Sequence, residues 1–364
     1  MNTLATDADL AAIRRAFPYS QTRVYLNTAA AGLSWKGQGD AAAAFYEQAK
    51  QAGINGRDQW QRVAKAAEQR LRAMLGVGRA GDCYFTNSTT ASLNLVADSL
   101  PWSRGDEIVL LADEFPSVIS AWDRARQQGA VVRHIVTDTE SQRTAALCAG
   151  ITVNTRVVAV SHVHWSTGTA VDLHRISARC REVDALLVVD GIQAMGAIAF
   201  DARCADVYCG AVFKWLISGF GLAVLWTSGR ASARLRPAWR GYANLAPSAS
   251  LGYAHVNYPA LYVLDATLAW LERVGWAPIH TYLQARMSQL CGGMTALGFS
   301  CITPASRAGI ASFAVDDAES LKTRLGALGI DVEVRDGRLR VSPWLYTSPT
   351  DIDTYLDAVQ RTAC

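Results

Sequence analysis

The sequence predicts an α/β protein: a mostly parallel sheet covered by helices, followed by a smaller α+β unit. Three observations carry this. From Glu107 to Trp226, short continuous apolar runs alternate with helix-length segments, and strands apolar on both faces belong to a sheet buried between helical layers. Glu114-Phe115, Ser161-His162, Asp190 and Lys214 fall at or just beyond the ends of such runs, where open α/β sheets bind ligands. Beyond Arg236 the texture changes to two long helix-like segments and a helix–strand–strand–helix tail. The expected division is a large unit over 20–255 and a small one over 1–19 and 256–364.

Half of the 364 residues are hydrophobic and 18% are charged, enough apolar material for a large buried core. The formal net charge of +3 arises from mixed basic and acidic residues, so no cationic tract offers itself to nucleic acid or a membrane surface. A small-molecule ligand is expected. No run of eighteen apolar residues occurs, and residues 1–9 lack a basic head before an apolar core, which points to the cytoplasm. The eight cysteines (Cys83, Cys148, Cys180, Cys204, Cys209, Cys291, Cys301, Cys364) include no C-x-x-C pair, arguing against a disulfide framework or a zinc site. His162 and His164 have no carboxylate or cysteine at ligand spacing, and no metal is expected.

In chain order, 24–32 reads as a strand running into the small-residue loop Asn27-Thr-Ala-Ala-Ala-Gly32, where backbone can approach a ligand. Residues 41–75 carry helical periodicity in two pieces broken at Gly53-Ile-Asn-Gly56. Ala44, Phe45 and Ala49, then Trp60, Val63, Ala67, Leu71 and Leu75, form apolar faces expected to lie on a core. Residues 83–97 read as a short strand, the hydroxyl run Ser88, Thr89, Thr90, and an amphipathic helix. Hydroxyls at a helix start act as N-caps, and the free N–H groups there also favour an anion such as phosphate. Strands are expected over 107–112, 131–136, 156–161, 185–189, 206–210 and 221–226, with helices over 117–128 and 173–183. In the small unit the pattern predicts helices over 257–274, 279–297, 319–328 and 349–362, and strands over 331–334 and 338–342. Ser348-Pro-Thr-Asp351 supplies the cap, first-turn proline and acid of a helix start.

The chemistry centres on Asp190, at the end of an apolar strand, and on Lys214, isolated in the glycine-rich Cys209-Gly-Ala-Val-Phe-Lys-Trp-Leu-Ile-Ser-Gly-Phe-Gly-Leu222. This pair suits pyridoxal phosphate: the carboxylate would keep the pyridine nitrogen protonated and the lysine would form the Schiff base.

Val188-Val-Asp-Gly-Ile-Gln-Ala-Met-Gly196 and Phe213-Lys-Trp-Leu-Ile-Ser-Gly-Phe-Gly221 resemble, in order and spacing, the D-G-x-Q and H-K-W-L-x-G-x-x-G patterns of the class V aminotransferase family. This family of fold-type-I pyridoxal-phosphate enzymes includes cysteine desulfurases and isopenicillin N epimerase, and the resemblance covers nearly the whole chain. It implies a seven-stranded-type sheet, an α-amino-acid substrate, and a homodimer with its active site at the subunit interface. It further implies that Lys214 is the Schiff-base lysine, Asp190 the partner of the pyridine nitrogen, and Gln193 a donor to the phenolic oxygen. Ser88, Thr89 and Thr90 would hold the phosphate, Phe115 would stack on the ring, and Trp165 would lie near the cofactor face. Val334-Arg-Asp-Gly-Arg-Leu-Arg-Val-Ser-Pro-Trp-Leu-Tyr346 resembles the segment presenting an arginine to the substrate carboxylate, which implies Arg340 first and Arg335 second. Asn27 joins them as a candidate substrate contact.

Departures from the family pattern shape the expected activity. Desulfurases carry a nucleophilic cysteine between the equivalents of Arg335 and Arg340, where this chain has only Asp336-Gly-Arg-Leu339, and a stacking histidine where it has Phe115. Persulfide-forming desulfuration is therefore expected to be excluded, leaving an aminotransferase or a related lyase or epimerase. C–S β-elimination, amino-acid epimerisation and a cofactor-less relative stand as alternatives. Ala211 and Phe213 replace the Ser and His that usually serve the phosphate. His255 lies in Ala254-His-Val-Asn257, where the family has G-T-P-N, and is a candidate phosphate donor from a second subunit. A nicotinamide dehydrogenase lacks its glycine fingerprint here, and a serine hydrolase its G-x-S-x-G elbow.

Overall fold

A computed structural model describes residues 7–245 and 250–362; Cys364 and the first six residues of the N-terminal segment lie outside the described residues. Seven strands form the main sheet: β1 Asp82–Thr86, β2 Glu107–Leu111, β3 Val131–Ile135, β4 Thr155–Ser161, β5 Leu186–Asp190, β6 Val207–Ala211 and β7 Ala223–Thr227. Their spatial order is β1-β7-β6-β5-β4-β2-β3. The pairs from β6 through β5, β4 and β2 to β3 are parallel, whereas β7 runs antiparallel to both β6 and β1. Every residue of β5, β6 and β7 is buried, as continuous apolar runs require. Register sets Ser161 opposite Asp190, and Asp190 opposite Cys209. The carboxyl ends of β4, β5 and β6 therefore share one edge.

Two helices of the first third, α1 Gly37–Ala52 and α2 Arg57–Met74, are joined by a 3-10 turn at Gly53–Gly56. The break is where the glycines predict it, and the second piece is buried as expected at Ala67, Leu71 and Leu75, with Trp60 and Val63 half-buried. The first piece departs from the expectation: no residue of α1 is buried. Periodicity marks an apolar face without saying what covers it. Phe45 and Trp60 instead join Tyr258 and Tyr262 in a half-exposed aromatic cluster. After β1, Ser88 caps α3 (Thr89–Ser99), its Oγ accepting from Ala91 N–H at 3.1 Å. The helix expected over 117–128 is two short ones, Pro116–Ser120 and Asp123–Gln127. Helix α4, Leu173–Glu182, covers the sheet before β5.

The C-terminal elements are α5 Tyr258–Val274, α6 Trp276–Ala296, β8 Ala311–Phe313, α7 Ala318–Ala327, β9 Glu333–Arg335, β10 Arg338–Val341 and α8 Pro349–Thr362. The strand expected over 331–334 is split: Ile330–Asp331 pairs in parallel with Val24–Tyr25, while β9 and β10 form an antiparallel hairpin with β8 beside β10. Asp336 and Gly337 make its two-residue turn at φ +50° and +70°, the left-handed pair a tight hairpin needs. Among the described residues, no helix is long and apolar enough to cross a membrane.

Candidate active site

Lys214 lies in the connection between β6 and β7, just beyond the sheet edge that ends in Asp190. A cavity of about 160 Å³ is lined by Ser88, Thr89, Thr90, Phe115, Trp165, Asp190, Gln193 and Lys214, together with Ser117, Ser161, Ala211 and Phe213. Eight residues singled out in the sequence are thus brought around one space.

Lys214 is desolvated. Burial and the nearby Arg340 guanidinium push its pKa down to about 7, with Asp190 pulling the other way. Asp190 is 3% exposed and accepts from Ile192 N–H at 2.9 Å. Burial raises its carboxyl to about 6, while the Ile192 hydrogen bond and the Lys214 charge act to lower it. The Gln193 amide is fixed at both ends: Nε2 donates to the Ala29 carbonyl at 3.1 Å and Oε1 accepts from Trp215 Nε1 at 2.9 Å. The Thr89 hydroxyl accepts from Ala211 N–H at 2.9 Å, and Thr90 Oγ1 lies 2.8 Å from Ser117 Oγ. Phe115 meets Trp165 edge-on at 5.7 Å. Phe213 stacks on Phe220 at 4.4 Å.

Two backbone features hold the lysine in place. The Gly32 N–H donates to the Phe213 carbonyl at 3.0 Å, and a Cβ on Gly32 would meet the Lys214 carbonyl oxygen at 2.1 Å. Only glycine lets the small-residue loop close here. Behind the lysine, Ile217 sits at φ +42°, a strained conformation for a β-branched residue. Its N–H donates to the Lys214 carbonyl at 3.1 Å, and its own carbonyl accepts from Gln38 Nε2.

The remaining predicted residues lie outside the cavity lining. Arg340 is 2% exposed, and its Nη1 donates to the Trp165 carbonyl at 2.8 Å, which sets it against the cavity rim. Its Nε is buried without a hydrogen-bond partner among the described residues, as is Asn27 Oδ1. Asn27 bridges Ser342, two residues beyond Arg340. Arg335 is half-buried and bonds Glu333 at 3.4 Å. His255 lines a separate cleft of about 910 Å³ with Phe45, Tyr84, Trp239 and Tyr258, and its ring stacks on Tyr242.

Two buried residues beside the cavity have partners that sequence reasoning did not identify. Glu114 is buried and takes both the N–H (2.8 Å) and the hydroxyl (2.5 Å) of Ser161; burial raises it to about 7 against those hydrogen bonds. Only the strand-end position of Glu114 and Ser161 hinted at this contact. His164 gathers with Asp113 and Glu140 within 4.8 Å. The buried Arg143 guanidinium bonds both carboxylates, so a cation already sits between them.

The donor set suits pyridoxal phosphate: a neutral-leaning amine and a buried carboxylate share one cavity with hydroxyls at the start of an eleven-residue helix.

Comparison with known proteins agrees. The family model for class V aminotransferases matches residues 24–347. A probable cysteine desulfurase of Methanothermobacter thermautotrophicus is 24% identical over 329 residues, spanning 84% of this chain and 82% of its own. The isopenicillin N epimerase of Amycolatopsis lactamdurans is 32% identical over 197 residues, 51% of this chain and 47% of that one. Among solved structures, the cystine C–S lyase C-DES in complex with its reaction product cysteine persulfide aligns with a TM-score of 0.87 at 22% identity, over 94% of this chain and 99% of that one. These relatives overturn the expected exclusion of persulfide-forming desulfuration. The two-residue turn at Asp336-Gly337 carries no thiol, but that bears on where the sulfur goes and not on whether the Cβ–S bond breaks. The chain belongs to the class V aminotransferase family, whose members act through pyridoxal phosphate.

Proposed function

We propose that the protein cleaves the Cβ–S bond of a sulfur-containing α-amino acid and releases the sulfur as sulfide or persulfide. The observation that carries this is the near full-length similarity to a cysteine desulfurase, joined to the gathering of Lys214, Asp190 and Gln193 in one cavity. Bound pyridoxal phosphate supplies an electron sink for negative charge developing at the substrate Cα. Asp190 would hold its pyridine nitrogen, Gln193 its phenolic oxygen, Ser88, Thr89 and Thr90 its phosphate, and Phe115 and Trp165 its faces. Lys214 would anchor the group, and its Nζ would then carry the Cα proton. Arg340 takes the substrate carboxylate in a bidentate grip, with Asn27 beside it and Arg335 at the outer edge. With no thiol in the 336–337 turn, the accepting sulfur is supplied by a small molecule: the second half of a disulfide substrate such as cystine, or a diffusible thiol.

The test is to incubate cofactor-loaded protein with L-cysteine, L-cystine and L-alanine. Sulfide is assayed directly and persulfide by cyanolysis, alongside keto acid and the configuration of recovered amino acid. Sulfur release is expected; keto acid or inverted alanine with no sulfur released would overturn the reading.

Desolvation of Lys214 gives a pH prediction. The neutral amine is the nucleophile, and with the pKa near 7 its fraction rises steeply from pH 6 to pH 8 and then levels. Cofactor capture by apo-protein, followed by absorbance after rapid mixing, is expected to accelerate about tenfold over that interval. A rate still climbing through pH 9 would contradict it.

We also propose that two copies associate over the cleft that holds His255, with His255 reaching the other copy's phosphate site. Support comes from the exposed apolar side chains Tyr46, Ile54, Phe220, Tyr242 and Leu245, together with α1, none of whose residues is buried. Sedimentation is expected to give twice the 39.3 kDa chain mass; a monomer at micromolar concentration would refute it. The division into units over 20–255 and over 1–19 with 256–364 is supported by the seven-stranded sheet lying wholly in the first and the β8–β10 sheet wholly in the second, with Val24–Tyr25 pairing across to Ile330–Asp331. A location in the cytoplasm is supported by the described cysteines being free thiols.

A further inference from the structure

We propose that Cys291 and Cys301 are a redox-modification site: a dithiol that closes reversibly to an intramolecular disulfide under peroxide. The Sγ atoms lie 3.8 Å apart, already in contact. Each is held by regular backbone. Cys291 is on α6, and Cys301 forms a bridge to Phe313 at the end of β8. The turn between them is pinned by Phe299 N–H to the Met294 carbonyl at 3.0 Å and by Ile302 N–H to the Ser312 carbonyl at 2.8 Å. Bringing the sulfurs to bonding distance needs a side-chain adjustment of under about 2 Å.

The surroundings make one thiol the nucleophile. Cys301 is half-buried and reachable by a small oxidant, whereas Cys291 is 8% exposed. The hydrogen-bonding contact with Cys291, the Thr303 backbone and the Arg307 charge favour the Cys301 thiolate against burial and bring it to about 7. Cys291 is correspondingly raised, and the Tyr355 hydroxyl near it is raised by burial. Cys83, Cys148, Cys180, Cys204 and Cys209 are all pushed upward, chiefly by burial. Cys301 therefore differs from these five in both partner and reactivity.

The step balances. The Cys301 thiolate attacks one oxygen of hydrogen peroxide, the O–O bond breaks, and hydroxide leaves to give a sulfenic acid. The Cys291 sulfur then attacks the Cys301 sulfur, the S–O bond breaks, and water departs with the Cys291 proton. Two thiols and one peroxide give one disulfide and two waters. A short run of hydrogen bonds leads from the site toward the cavity. The Cys301 thiol donates to the Thr303 carbonyl at 3.5 Å, and the Thr303 hydroxyl donates to the Thr167 carbonyl, two residues from Trp165.

The experiment uses the full-length protein, reduced, desalted, exposed to graded hydrogen peroxide, blocked with iodoacetamide and peptide-mapped without reduction. Expected results are an intact-mass loss of about 2 Da before blocking, a Cys291–Cys301 linked peptide that dithiothreitol reverses, and alkylation of Cys301 in untreated protein faster than that of Cys83, Cys148, Cys180, Cys204 and Cys209. Cys291→Ser should leave Cys301 as a sulfenic acid that dimedone traps. The proposal is overturned if Cys301 oxidises without linking to Cys291, or if it alkylates no faster than the other five thiols. The alkylation ranking needs no variant, so misfolding of Cys291→Ser would not protect the proposal.

Discussion

Lys214→Ala is expected to lower kcat for sulfur release by about 10³–10⁴-fold, the scale of losing a positioned general base, with its role as cofactor anchor lost as well. Measured sulfide or persulfide output should collapse, and borohydride should no longer fix a pyridoxyl group to the chain. Global stability should move the other way. The fold resists a charge on Lys214, whose pKa is lowered from 10.5 to about 7, while the unfolded chain carries that charge freely. This penalty is full below about pH 7 and fades as pH climbs toward 10.5, so at pH 7 the alanine variant should melt at a higher temperature than the parent apo-protein. A variant that kept a tenth of the parent activity would remove Lys214 from the mechanism.

Arg340→Lys is expected to raise KM for the amino acid by about 30-fold or more, the low end of what truncating one partner of a buried charge pair does, with a smaller change in kcat. The guanidinium is 2% exposed, burial and Arg335 lower it to about 10, and one nitrogen is committed to the Trp165 carbonyl. A lysine offers a point charge where a planar fork is required. The diagnostic comparison is cysteamine, which has the amine and sulfur but no carboxylate: its turnover should be nearly the same in parent and variant. Arg335→Lys should change little, because that side chain is half-buried and turned to Glu333. An Arg340→Lys enzyme with unaltered KM would move the carboxylate site elsewhere.

The sheet was legible because β5, β6 and β7 are apolar from end to end, and such runs declare themselves. Direction was not. An apolar run reads the same in both senses, so the reversal of β7, which places Lys214 in a connection at the ligand-binding edge, is invisible until the strands are paired. Asp190, Gln193 and Lys214 were legible because their spacing is local to two segments. The Glu114–Ser161 and Cys291–Cys301 contacts were not, because neither pair carries a spacing that announces proximity. The exposure of α1 shows the same limit from the other side: Phe45 lies on an apolar face, but the face needs a neighbour that the 3.6-residue period does not name. The expected exclusion of desulfuration failed for a different reason. A missing thiol in the hairpin removes one acceptor for the sulfur, but a leaving sulfur and an accepting sulfur are separable parts of the chemistry.

Ile217, at φ +42° directly behind Lys214, has a consequence for anyone engineering this chain for heat resistance. A non-glycine residue held in that region stores on the order of 1–3 kcal/mol, so a screen that rewards melting temperature alone will be drawn to glycine at this position. The same relaxation would free the peptide whose N–H is bonded to the Lys214 carbonyl, and with it the aim of the amine. Thermostability libraries for this protein are better directed to the solvent-facing side of α8 than to the segment between β6 and β7.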